Sequence, residues 1–464
     1  MYGRTHRIHF IGVGGVGMSG IAEVLLTLGY EVSGSDLKQS ETTDRLLGLG
    51  GRIFIGHAAS NVEGAQVVVH STAIRPDNVE LIAARAADMT VIGRAEMLAE
   101  LMRMKYGIAV GGAHGKTTTT SMIAAVLARG GLDPTIVVGG RLHAIGSNAR
   151  LGLGPFLVAE ADESDGSFLR LSPAVVVVTN IDREHLDFFS GLEEIRQSFV
   201  YFANRVPFYG VAVLCADDEQ VREIVPRVTK RALLYGTRPE AQVRGEDLRL
   251  LPDGSRFRVV GFGRELGEIE LRVPGRHNVL NALAAVAVGL EVEVGFGQIA
   301  EALATFGGVS RRFETRGEVN GVRVVDDYAH HPTEIRASLA AARAAGRQVF
   351  ALFQPHRYSR TGALREEFGL AFGDADRVWV LDIYPAGETP LEGVSGNTVV
   401  ESARRQGARH VEYAADPHQA AAAAAAAARP GDLVITLGAG DVGKLADEIL
   451  RLLARELGVA GSKA

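Results

Sequence analysis

The sequence predicts an α/β fold of three domains, each built around a parallel sheet. Short apolar segments, interpreted as strands, alternate along the chain with segments of helical pattern. Some apolar segments, such as Ala174–Val178, lack polar alternation, which is typical of strands buried on both faces. A glycine-rich loop also precedes a helical segment in each third of the 464 residues. That length suits about three domains.

The predicted elements follow the same order in each third of the chain. In the first third, a strand at Arg7–Val13 is followed by a helix at Met18–Leu28. In the second, a strand at Tyr106–Val110 is followed by a helix at Lys116–Ala128. The remaining predicted strands lie at Phe156–Ala159, Val175–Thr179, Val322–Val325, Val349–Phe353, Arg377–Leu381 and Leu433–Leu437.

Two boundaries, near Lys105 and near Ser310, divide these elements into domains. We expect residues 1–105 to form a Rossmann-like domain, residues 106–310 a central domain of the P-loop ATPase type, and residues 311–464 a second Rossmann-like domain. One segment departs from this alternation of strands and helices. Between Leu248 and Val273, alternating residues surround Pro252-Asp253-Gly254, which predicts a small antiparallel hairpin attached to the central sheet.

Composition excludes several classes of protein and partner. The formal net charge is −6, so there is no overall attraction to nucleic acid or anionic lipid, and we expect neither as a partner. Cys215 is the only cysteine, which excludes intramolecular disulfides and suits a reducing compartment. The sequence shows no signal peptide and no apolar stretch near the roughly 20 residues of a membrane span. We therefore expect a cytoplasmic protein, as a monomer or homodimer.

The central third contains a phosphate-binding loop. The segment Gly111–Thr120 follows an apolar strand and opens a helix. Such a loop directs backbone N–H groups toward an anion at the positive end of a helix dipole. Lys116 can then reach the β- and γ-phosphates of a nucleotide, and the Thr117 hydroxyl can hold Mg²⁺. Val110 stands where the longer phosphate-loop pattern has its first glycine, so the loop has the shorter form G-x-x-G-K-T.

Polar residues follow two further predicted strands of the central region. Glu160–Asp165 contain four carboxylates directly after one strand, and Asn180–His185 follow the next. In an open parallel sheet these strand ends meet at the edge where ligands bind. Hard oxygen ligands such as Glu160 suit Mg²⁺. Alone, an acidic loop is more often a solvated turn, but its coincidence with the phosphate loop predicts a nucleotide and metal site.

These motifs resemble those of the Mur ligases, a family of ATP-dependent amide-bond ligases. The resemblance runs the length of the chain. Its ATP-site segments are Gly112–Thr117, Glu160–Asp165, Thr179–His185, Gly275–Asn281 and Asp326–Pro332. Two more segments resemble the alanine-adding member of the family, namely Gly12–Gly20 and Phe353–Arg360.

The sequence departs from the family pattern at two positions. Ala113 replaces the usual threonine in the phosphate loop, and Glu184 stands where aspartate is common. Neither change removes the loop backbone, Lys116 or the negative charge, so ATP binding is still expected. Many relatives that add later residues carry a carbamylated lysine after the segment that ends here in His185. Residues 186–204 contain no lysine, which favours the alanine-adding member.

The resemblance implies the ATP-dependent ligation of L-alanine to the carboxylate of UDP-N-acetylmuramate, through an acyl phosphate, in the synthesis of peptidoglycan precursors. The residues expected to take part in the chemistry are Lys116, Glu160, His185 and Arg312. The expected Mg²⁺ ligands are Thr117, Glu160 and His185, with Asp162 or Glu163 as the alternative to Glu160. The residues expected to bind ATP are Gly112, Ala113, His114, Gly115, Lys116, Thr117, Thr118, Asn278 and Asp326. Those expected to bind L-alanine are Tyr328, His330, Arg357 and Arg360.

The first domain suggests a different function when taken alone. Gly12, Gly14 and Gly17 form G-x-G-x-x-G after a strand, and Asp36 ends the second predicted strand. This fingerprint is typical of dinucleotide binding, so an NAD-dependent oxidoreductase is an alternative. A UDP-sugar, however, presents a pyrophosphate that the same helix N-terminus can hold. The residues expected to bind the UDP-sugar are Gly14, Gly15, Val16, Gly17, Asp36, Ser71 and Thr72.

The sequence is also compatible with two more functions. A close relative attaches a recycled tripeptide to the same UDP-sugar, and a P-loop switch protein would bind ATP without ligation. The family segment at Asp326–Pro332 argues against the switch protein. A second G-x-G-x-x-G, at Gly438, Gly440 and Gly443, is interpreted as a tight strand-to-helix turn whose role is close packing.

Overall fold

A computed structural model of the protein describes residues 6–71, 73–142, 147–186 and 188–460. Their strands form three sheets of five, ten and six strands, in which parallel pairing predominates. The predicted α/β fold is therefore confirmed. The chain also divides into two compact units. One comprises Met1–Glu246, Arg258–Ile269 and Leu280–Phe306, and the other Asp247–Phe257, Glu270–Val279 and Gly307–Ala464. The domain boundaries near residues 105 and 310 remain predictions.

The first sheet has the strand order of a Rossmann-like domain. Its elements are β1 (Arg7–Ile11), α1 (Val16–Thr27), β2 (Glu31–Asp36), α2 (Glu41–Gly48), β3 (Arg52–Ile55), β4 (Val67–His70), α3 (Val79–Ala86), β5 (Thr90–Gly93) and α4 (Arg94–Arg103). The five strands are parallel, in the order β3-β2-β1-β4-β5. The order reverses between β1 and β4, which is where ligands bind in sheets of this kind.

A buried carboxylate ties the elements of this domain together. Glu80 of α3 accepts hydrogen bonds from Ser35 Oγ (2.5 Å), Asn61 Nδ2 (2.6 Å) and the Ala58 N–H (3.2 Å). His9 Nε2 and His57 Nδ1 lie 3.5 and 3.4 Å from its Oε2. Burial would raise the pKa of Glu80, but its hydrogen bonds, led by the one with His9, outweigh that effect and lower the pKa to about 2.

The second sheet carries the phosphate loop. Its region contains β6 (Tyr106–Gly111), α5 (Lys116–Arg129), β7 (Thr135–Leu142), β8 (Ser147–Arg150), β9 (Phe156–Glu160), β10 (Val175–Val178), α6 (Leu192–Ala203), β11 (Val211–Cys215), α7 (Glu219–Ile224), β12 (Ala232–Gly236), β13 (Val243–Leu251), β14 (Gly254–Gly261), β15 (Arg264–Leu271), α8 (Arg276–Glu291) and α9 (Phe296–Ala304). The strand order is β15-β14-β13-β12-β11-β10-β6-β9-β7-β8. Because β6 lies between β10 and β9 and parallel to both, the three strand ends meet at one edge, as predicted.

The predicted hairpin proves to be two successive hairpins. Pro252-Asp253 connect β13 to β14, and Phe262-Gly263 connect β14 to β15. The second turn has φ of 51° and 78° at its two residues, the left-handed pair that a tight two-residue hairpin requires. The β13 strand pairs with β12, so these strands extend the central sheet, as expected.

The third sheet contains one antiparallel pair that the sequence analysis missed. Its region contains β16 (Glu314–Val319), β17 (Val322–Asp327), α10 (Pro332–Arg343), β18 (Val349–Phe353), α11 (Tyr358–Ala363), α12 (Arg365–Gly369), β19 (Arg377–Val380), α13 (Gly396–Arg405), β20 (Val411–Tyr413), α14 (Pro417–Ala427), β21 (Leu433–Leu437) and α15 (Lys444–Ala460). The order is β16-β17-β21-β18-β19-β20, and β16 alone runs antiparallel to its neighbour.

The central strands are buried as the sequence predicts. All four valines of β10 are completely buried. The single cysteine, Cys215, ends β11 with 1% of its surface exposed, and burial raises the pKa of its thiol to about 12. Among the described helices, none combines the length and the apolar character that a bilayer span needs.

Candidate active site

The phosphate loop begins where β6 ends. Gly112 (φ 130°) and Gly115 (φ 81°) both adopt left-handed backbone conformations that favour glycine. A Cβ atom at Gly112 would lie 2.1 Å from Thr179 Oγ1, so no larger residue fits there. The helix α5 begins at Lys116, and its first N–H groups therefore point into the loop.

Asn180, at the neighbouring strand end, holds the loop in shape. Its backbone oxygen accepts from the Ala113 N–H (3.2 Å), and its Oδ1 accepts from the His114 N–H (2.8 Å). Its Nδ2 donates to the His114 carbonyl (2.9 Å), to which Thr179 Oγ1 also donates (2.7 Å). The loop backbone is thus fixed by protein contacts alone, which is the preorganisation that phosphate binding requires.

Lys116 lies among oxygen atoms at the start of α5. Its Nζ donates to the carbonyls of Gly112 (2.7 Å) and Ala113 (3.2 Å) and to Glu163 Oε1 (2.9 Å). Burial alone would lower the pKa of Lys116, but the charges of Glu163 and Asp162 outweigh it and raise the pKa. The side chain is therefore charged at the position where a nucleotide phosphate is expected.

A cluster of two carboxylates and an imidazole lies beside Lys116. One ligand atom from each of Glu163, Glu184 and His185 lies within 4.8 Å of the others. Glu163 is 3% exposed, and among the described residues its Oε2 has no hydrogen-bond partner. Burial disfavours protonation of His185, but a hydrogen bond with Glu163 and the charge of Glu184 prevail and raise its pKa. A buried, unpartnered carboxylate oxygen in such a cluster fits a bound cation.

Two other residues of the expected ATP site, His114 and Gly115, lie against side chains of the protein. His114 Nε2 lies 3.0 Å from Asp182 Oδ2. A Cβ atom at Gly115 would lie 2.7 Å from the Oδ1 of Asn281, which also accepts from Thr119 Oγ1 at 3.1 Å. Asn281 lies in the family segment at 275–281 but was given no role from the sequence.

The expected metal ligands Glu160 and Thr117 lie at the same edge of the sheet. Glu160 ends β9, in register with Val110, the penultimate residue of β6. Thr117 and Thr118 are buried in the first turn of α5. That Glu160 and Thr117 share one ion remains a prediction. The carboxylate that contacts Lys116 is Glu163, three residues further along the chain.

In the first domain, the end of β2 holds the glycine-rich loop. The Gly12 and Val13 N–H groups donate to the Ser35 carbonyl at 2.8 and 3.0 Å. The Gly14 N–H donates to Asp36 Oδ2 at 2.8 Å. Asp36 therefore lies beside the glycine-rich loop, and its carboxylate contacts the loop backbone.

The remaining residues expected at the UDP-sugar flank this loop. Gly15 caps α1, which begins at Val16. Ser71 follows β4, the neighbour of β1, and its Oγ accepts from the Ala73 N–H at 3.0 Å. Thr72 lies outside the described residues.

The residues expected to bind L-alanine come together around His356 in the other compact unit. The ring of His330 lies 5.3 Å from that of Tyr328 and 5.7 Å from that of His356. His356 stacks on Tyr384 at 5.5 Å, and Arg360 Nη1 lies 3.3 Å from His356 Nδ1. Burial, followed by the charges of His330 and the arginines, lowers the pKa of His356 to about 3, so this ring is neutral.

Arg357 has a strained backbone and a carboxylate partner. Its φ is 72°, which a non-glycine residue rarely adopts, and its N–H donates to the Tyr384 carbonyl at 2.9 Å. Its Nε lies 2.7 Å from Glu388 Oε1, and Glu388 also accepts from the Ser359 N–H (3.0 Å). The sequence places Arg357 and Arg360 in the loop after the strand Val349–Phe353; this is wrong for Arg360, which lies within the short helix α11.

Arg312 and two aspartates lie at the end of β17. The Arg312 guanidinium stacks over Tyr328, 4.9 Å from the ring centre, and lies 3.7 Å from Glu334. Asp326 accepts from Arg311 Nε (3.0 Å) and Thr436 Oγ1 (2.7 Å). Burial raises the pKa of Asp327 to about 6. The contacts of Asp326 are structural, so its role at ATP remains a prediction.

The predicted contact of Asn278 with adenine also remains a prediction. Asn278 lies in the first turn of α8, and its Nδ2 donates to the Pro274 carbonyl at 2.7 Å. Its neighbour Val279 is completely buried, as befits an apolar side chain that packs in the core.

The third glycine-rich turn serves close packing, as interpreted from the sequence. Cβ atoms at Gly438 and Gly440 would lie 2.8 and 2.3 Å from atoms of Gln354. One at Gly443 would lie 2.7 Å from Asp326 Oδ2. The carbonyls of Gly438 and Gly440 accept from Arg311 at 2.8 and 3.1 Å.

Comparison with known proteins places the chain in one class: it belongs to the Mur ligase family. Family models match residues 7–106 (Mur ligase family, catalytic domain), 110–289 (Mur ligase middle domain) and 311–440 (Mur ligase, glutamate ligase domain). The chain is 56% identical to the UDP-N-acetylmuramate–L-alanine ligase of Geobacter sulfurreducens, over 98% of this chain and 99% of that protein.

Solved structures agree with this placement. The UDP-N-acetylmuramate–alanine ligase of Thermotoga maritima superposes with a TM-score of 0.79 at 29% identity, covering 98% of this chain and 99% of that one. A murein peptide ligase from Psychrobacter arcticus has a TM-score of 0.69 at 22% identity, covering 97% and 98% of the two chains, a likeness of fold. Membership of a ligase family excludes the NAD-dependent oxidoreductase and the P-loop switch protein.

The sequence gives no role to two residues that the structure brings to these sites, His356 and Glu388, and offers Glu163 only as an alternative metal ligand to Glu160. Glu163 and His356 lie inside quoted motifs, but nothing in their spacing shows which side chain turns toward Lys116 or Arg360. Glu388 lies in a segment without a motif and reaches Arg357 only through the fold of the chain. The pairs Lys116–Glu163 and Arg357–Glu388 join residues more than 20 positions apart, which leave no local signal in the sequence.

Proposed function

We propose that this protein joins L-alanine to the carboxylate of UDP-N-acetylmuramate, converting ATP into ADP and phosphate. The observation that carries the proposal is the phosphate loop, in which a charged Lys116 lies beside buried carboxylates. The identity to alanine-adding relatives over nearly the whole chain supports the choice of substrates. The product is a precursor of peptidoglycan, and the proposed compartment is the cytoplasm.

The chemistry needs an activated carboxylate, because a free carboxylate is a poor electrophile. The carboxylate oxygen of the sugar attacks the γ-phosphorus of ATP, an O–P bond to ADP breaks, and an acyl phosphate forms. The alanine amine then attacks the acyl carbon, loses a proton, and expels inorganic phosphate. Lys116 neutralises charge on the β- and γ-phosphates during the first transfer, and this transfer consists mainly of positioning and charge neutralisation.

Mg²⁺ is the proposed metal, because carboxylates and phosphates are hard oxygen ligands. Thr117 and Glu160 are proposed to hold one ion, and His185 is proposed to hold a second. The second position is supported by Glu163, whose Oε1 lies 3.5 Å from His185 Nε2 and whose buried Oε2 has no hydrogen-bond partner among the described residues. Bound Mg²⁺ would supply charge stabilisation to the transferred phosphoryl group.

Alanine is proposed to bind around His356 in the unit that contains the third sheet. Arg360 and Arg357 offer guanidinium groups that match a carboxylate, and the Glu388 contact already fixes the orientation of Arg357. The neutral ring of His356, stacked on Tyr384, adds no charge that would compete with the two guanidinium groups for the carboxylate. Arg312 is proposed to stabilise the transferred phosphate.

One experiment tests the function directly. The protein is incubated with ATP, Mg²⁺ and UDP-N-acetylmuramate, together with L-alanine, glycine, L-serine or the recycled tripeptide, and phosphate release is measured. We expect release that depends on the UDP-sugar and is fastest with L-alanine. Faster release with the tripeptide, or release that does not require the UDP-sugar, would contradict the proposal.

A further inference from the structure

Arg94, the first residue of α4, lies between the glycine-rich loop at residues 12–17 and the acidic segment after β9, all within the compact unit that includes residues 1–246. Its Nη2 lies 3.3 Å from Asp162 Oδ2 in the acidic segment after β9. On its other side it packs against Gly17 of the glycine-rich loop, where a Cβ atom would lie 2.6 Å from Nη1. The Arg94 side chain is 27% exposed, so one guanidinium reaches both loops from a largely enclosed position.

The charges around Arg94 alternate in sign between the two loops. Gly17 lies in the first turn of α1, where the helix dipole is positive and a cation alone is unfavourable. Asp162 supplies a compensating charge. Burial would raise the pKa of Asp162, but the charges of Lys116 and Arg94 outweigh it and lower the pKa. The row of Arg94, Asp162 and Lys116 thus connects α1 with the phosphate loop.

A second ion pair also connects α4 with the chain that follows β9, and here the acidic residue is on α4. Glu96 of α4 lies 2.5 Å from Arg170, which ends the 3₁₀ turn after the acidic segment. The other oxygen of Glu96 accepts from the Gly93 N–H at 3.1 Å and caps α4. Both partners are substantially exposed, so this pair stabilises the fold little and mainly sets the register between α4 and the acidic segment.

We propose that Arg94 is a positioning residue that makes the binding of the UDP-sugar and of ATP mutually favourable; this inference rests on the proposed function. When nucleotide phosphates take up the charge of Lys116, Asp162 pairs more strongly with Arg94. Arg94 is then held more firmly over Gly17, beside the proposed pyrophosphate site. By thermodynamic reciprocity, the bound sugar must favour ATP by the same factor.

The test measures binding with and without the second ligand. The dissociation constant of UDP-N-acetylmuramate is determined by calorimetry, alone and with a saturating non-hydrolysable ATP analogue and Mg²⁺. We expect the analogue to tighten sugar binding about fivefold or more in the unaltered protein. In Arg94→Met each ligand should still bind, but the ATP analogue should no longer change the dissociation constant of the sugar.

Two further variants separate positioning from a structural role. Arg45 forms a two-bond ion pair with Glu23, beyond the first turn of α1, and in Arg45→Met the ATP analogue should tighten sugar binding by as much as in the unaltered protein. Gly17→Ala places a methyl group against the guanidinium in a helix, where alanine is otherwise preferred to glycine. Gly17→Ala should therefore weaken the effect of the ATP analogue on sugar binding without lowering the melting temperature.

The outcomes distinguish this inference from the proposed function. If the unaltered protein does not bind UDP-N-acetylmuramate, the proposed function fails. If both ligands bind the unaltered protein without influencing each other, or if Arg94→Met keeps the full factor, the positioning role of Arg94 is wrong and the proposed function stands.

Discussion

The two glycine-rich loops before α1 and α5 share a backbone design and differ in their surroundings. Each follows a parallel strand and opens a helix. The loop at residues 12–17 contains only glycine and valine, and its contact with Asp36 uses a backbone N–H. The loop before α5 leads into Lys116, which contacts the buried Glu163. Glycine spacing provides a place for a phosphate, and the charges beside it determine whether that phosphate is held or transferred.

The largest effect should come from removing the charge at the second loop. We expect Lys116→Ala to lower kcat by about 10²–10³-fold, because the cation that faces the transferred phosphoryl group is lost. Phosphate release at saturating ATP measures this. Turnover close to that of the unaltered protein would show that Lys116 has no role in transfer.

A double variant separates this loss of activity from loss of stability. Lys116→Ala leaves Glu163 buried without its cation, which costs roughly 3–5 kcal/mol of unfolding free energy. Adding Glu163→Gln should recover much of that stability, measured by urea unfolding, and should not recover kcat. Recovery of both would mean that Lys116 acts only through the fold.

Low pH should weaken the support of the first glycine-rich loop, because that support depends on the ionised carboxylate of Glu80. The pKa of Glu80 is about 2 in the folded protein against an ordinary 4.5, so its stabilisation is fully present above pH 4.5 and is lost as the pH falls toward 2. The difference corresponds to about 3 kcal/mol. Since Ser35 both binds Glu80 and accepts from the glycine-rich loop, this domain should loosen in acid.

The measurement compares urea unfolding of the unaltered protein and of Glu80→Gln at neutral pH and near pH 3. The stability gap between the two proteins should narrow in acid. His9 and His57, which face the same carboxylate, are retained in the variant. A gap that does not change with pH would refute this account of Glu80.

The proposed metal ligand Glu160, at the end of β9 where the acidic segment begins, should show an intermediate effect. Glu160→Gln keeps the size of the side chain and removes its charge, so the Mg²⁺ concentration for half-maximal activity should rise about tenfold. Glu163→Gln is the matched comparison in the same acidic segment. If the Mg²⁺ requirement rises only in Glu163→Gln, the metal ligand is Glu163 and not Glu160.

The smallest effect is expected at Asp36. Asp36→Ala removes the acceptor of the Gly14 N–H and should raise the KM for UDP-N-acetylmuramate about threefold, with the KM for ATP unchanged. Steady-state kinetics with each substrate varied in turn measures this. Equal rises in both KM values would show that the first loop does not act on the sugar alone.

Buried strands were the most predictable part of the fold. The strands Val349–Phe353 and Leu433–Leu437 have the predicted bounds, because an apolar run with polar residues at both ends marks a strand buried on two faces. The β16 strand was missed although Asn320-Gly321, a strong hairpin signal, connects it to β17. Its alternation is weak, since it is an edge strand with few buried residues.

The site was predictable at the level of loops and less so at the level of side chains. The sequence placed Lys116, Glu160 and His185 at neighbouring strand ends, and the sheet order agrees. It did not distinguish Glu160 from Glu163 as the partner of Lys116, because that depends on the path of the chain after β9. Contacts such as that between Arg357 and Glu388 depend on tertiary packing.

The single cysteine makes this protein a ready background for site-specific labelling. Cys215 is buried and the pKa of its thiol is about 12, so at neutral pH it offers almost no thiolate to a maleimide. A cysteine introduced at Leu153, which is 94% exposed, would therefore react alone with a dye or spin label. Pairs of such labels, one in each compact unit, would allow distances between the units to be followed during turnover without first removing a native thiol.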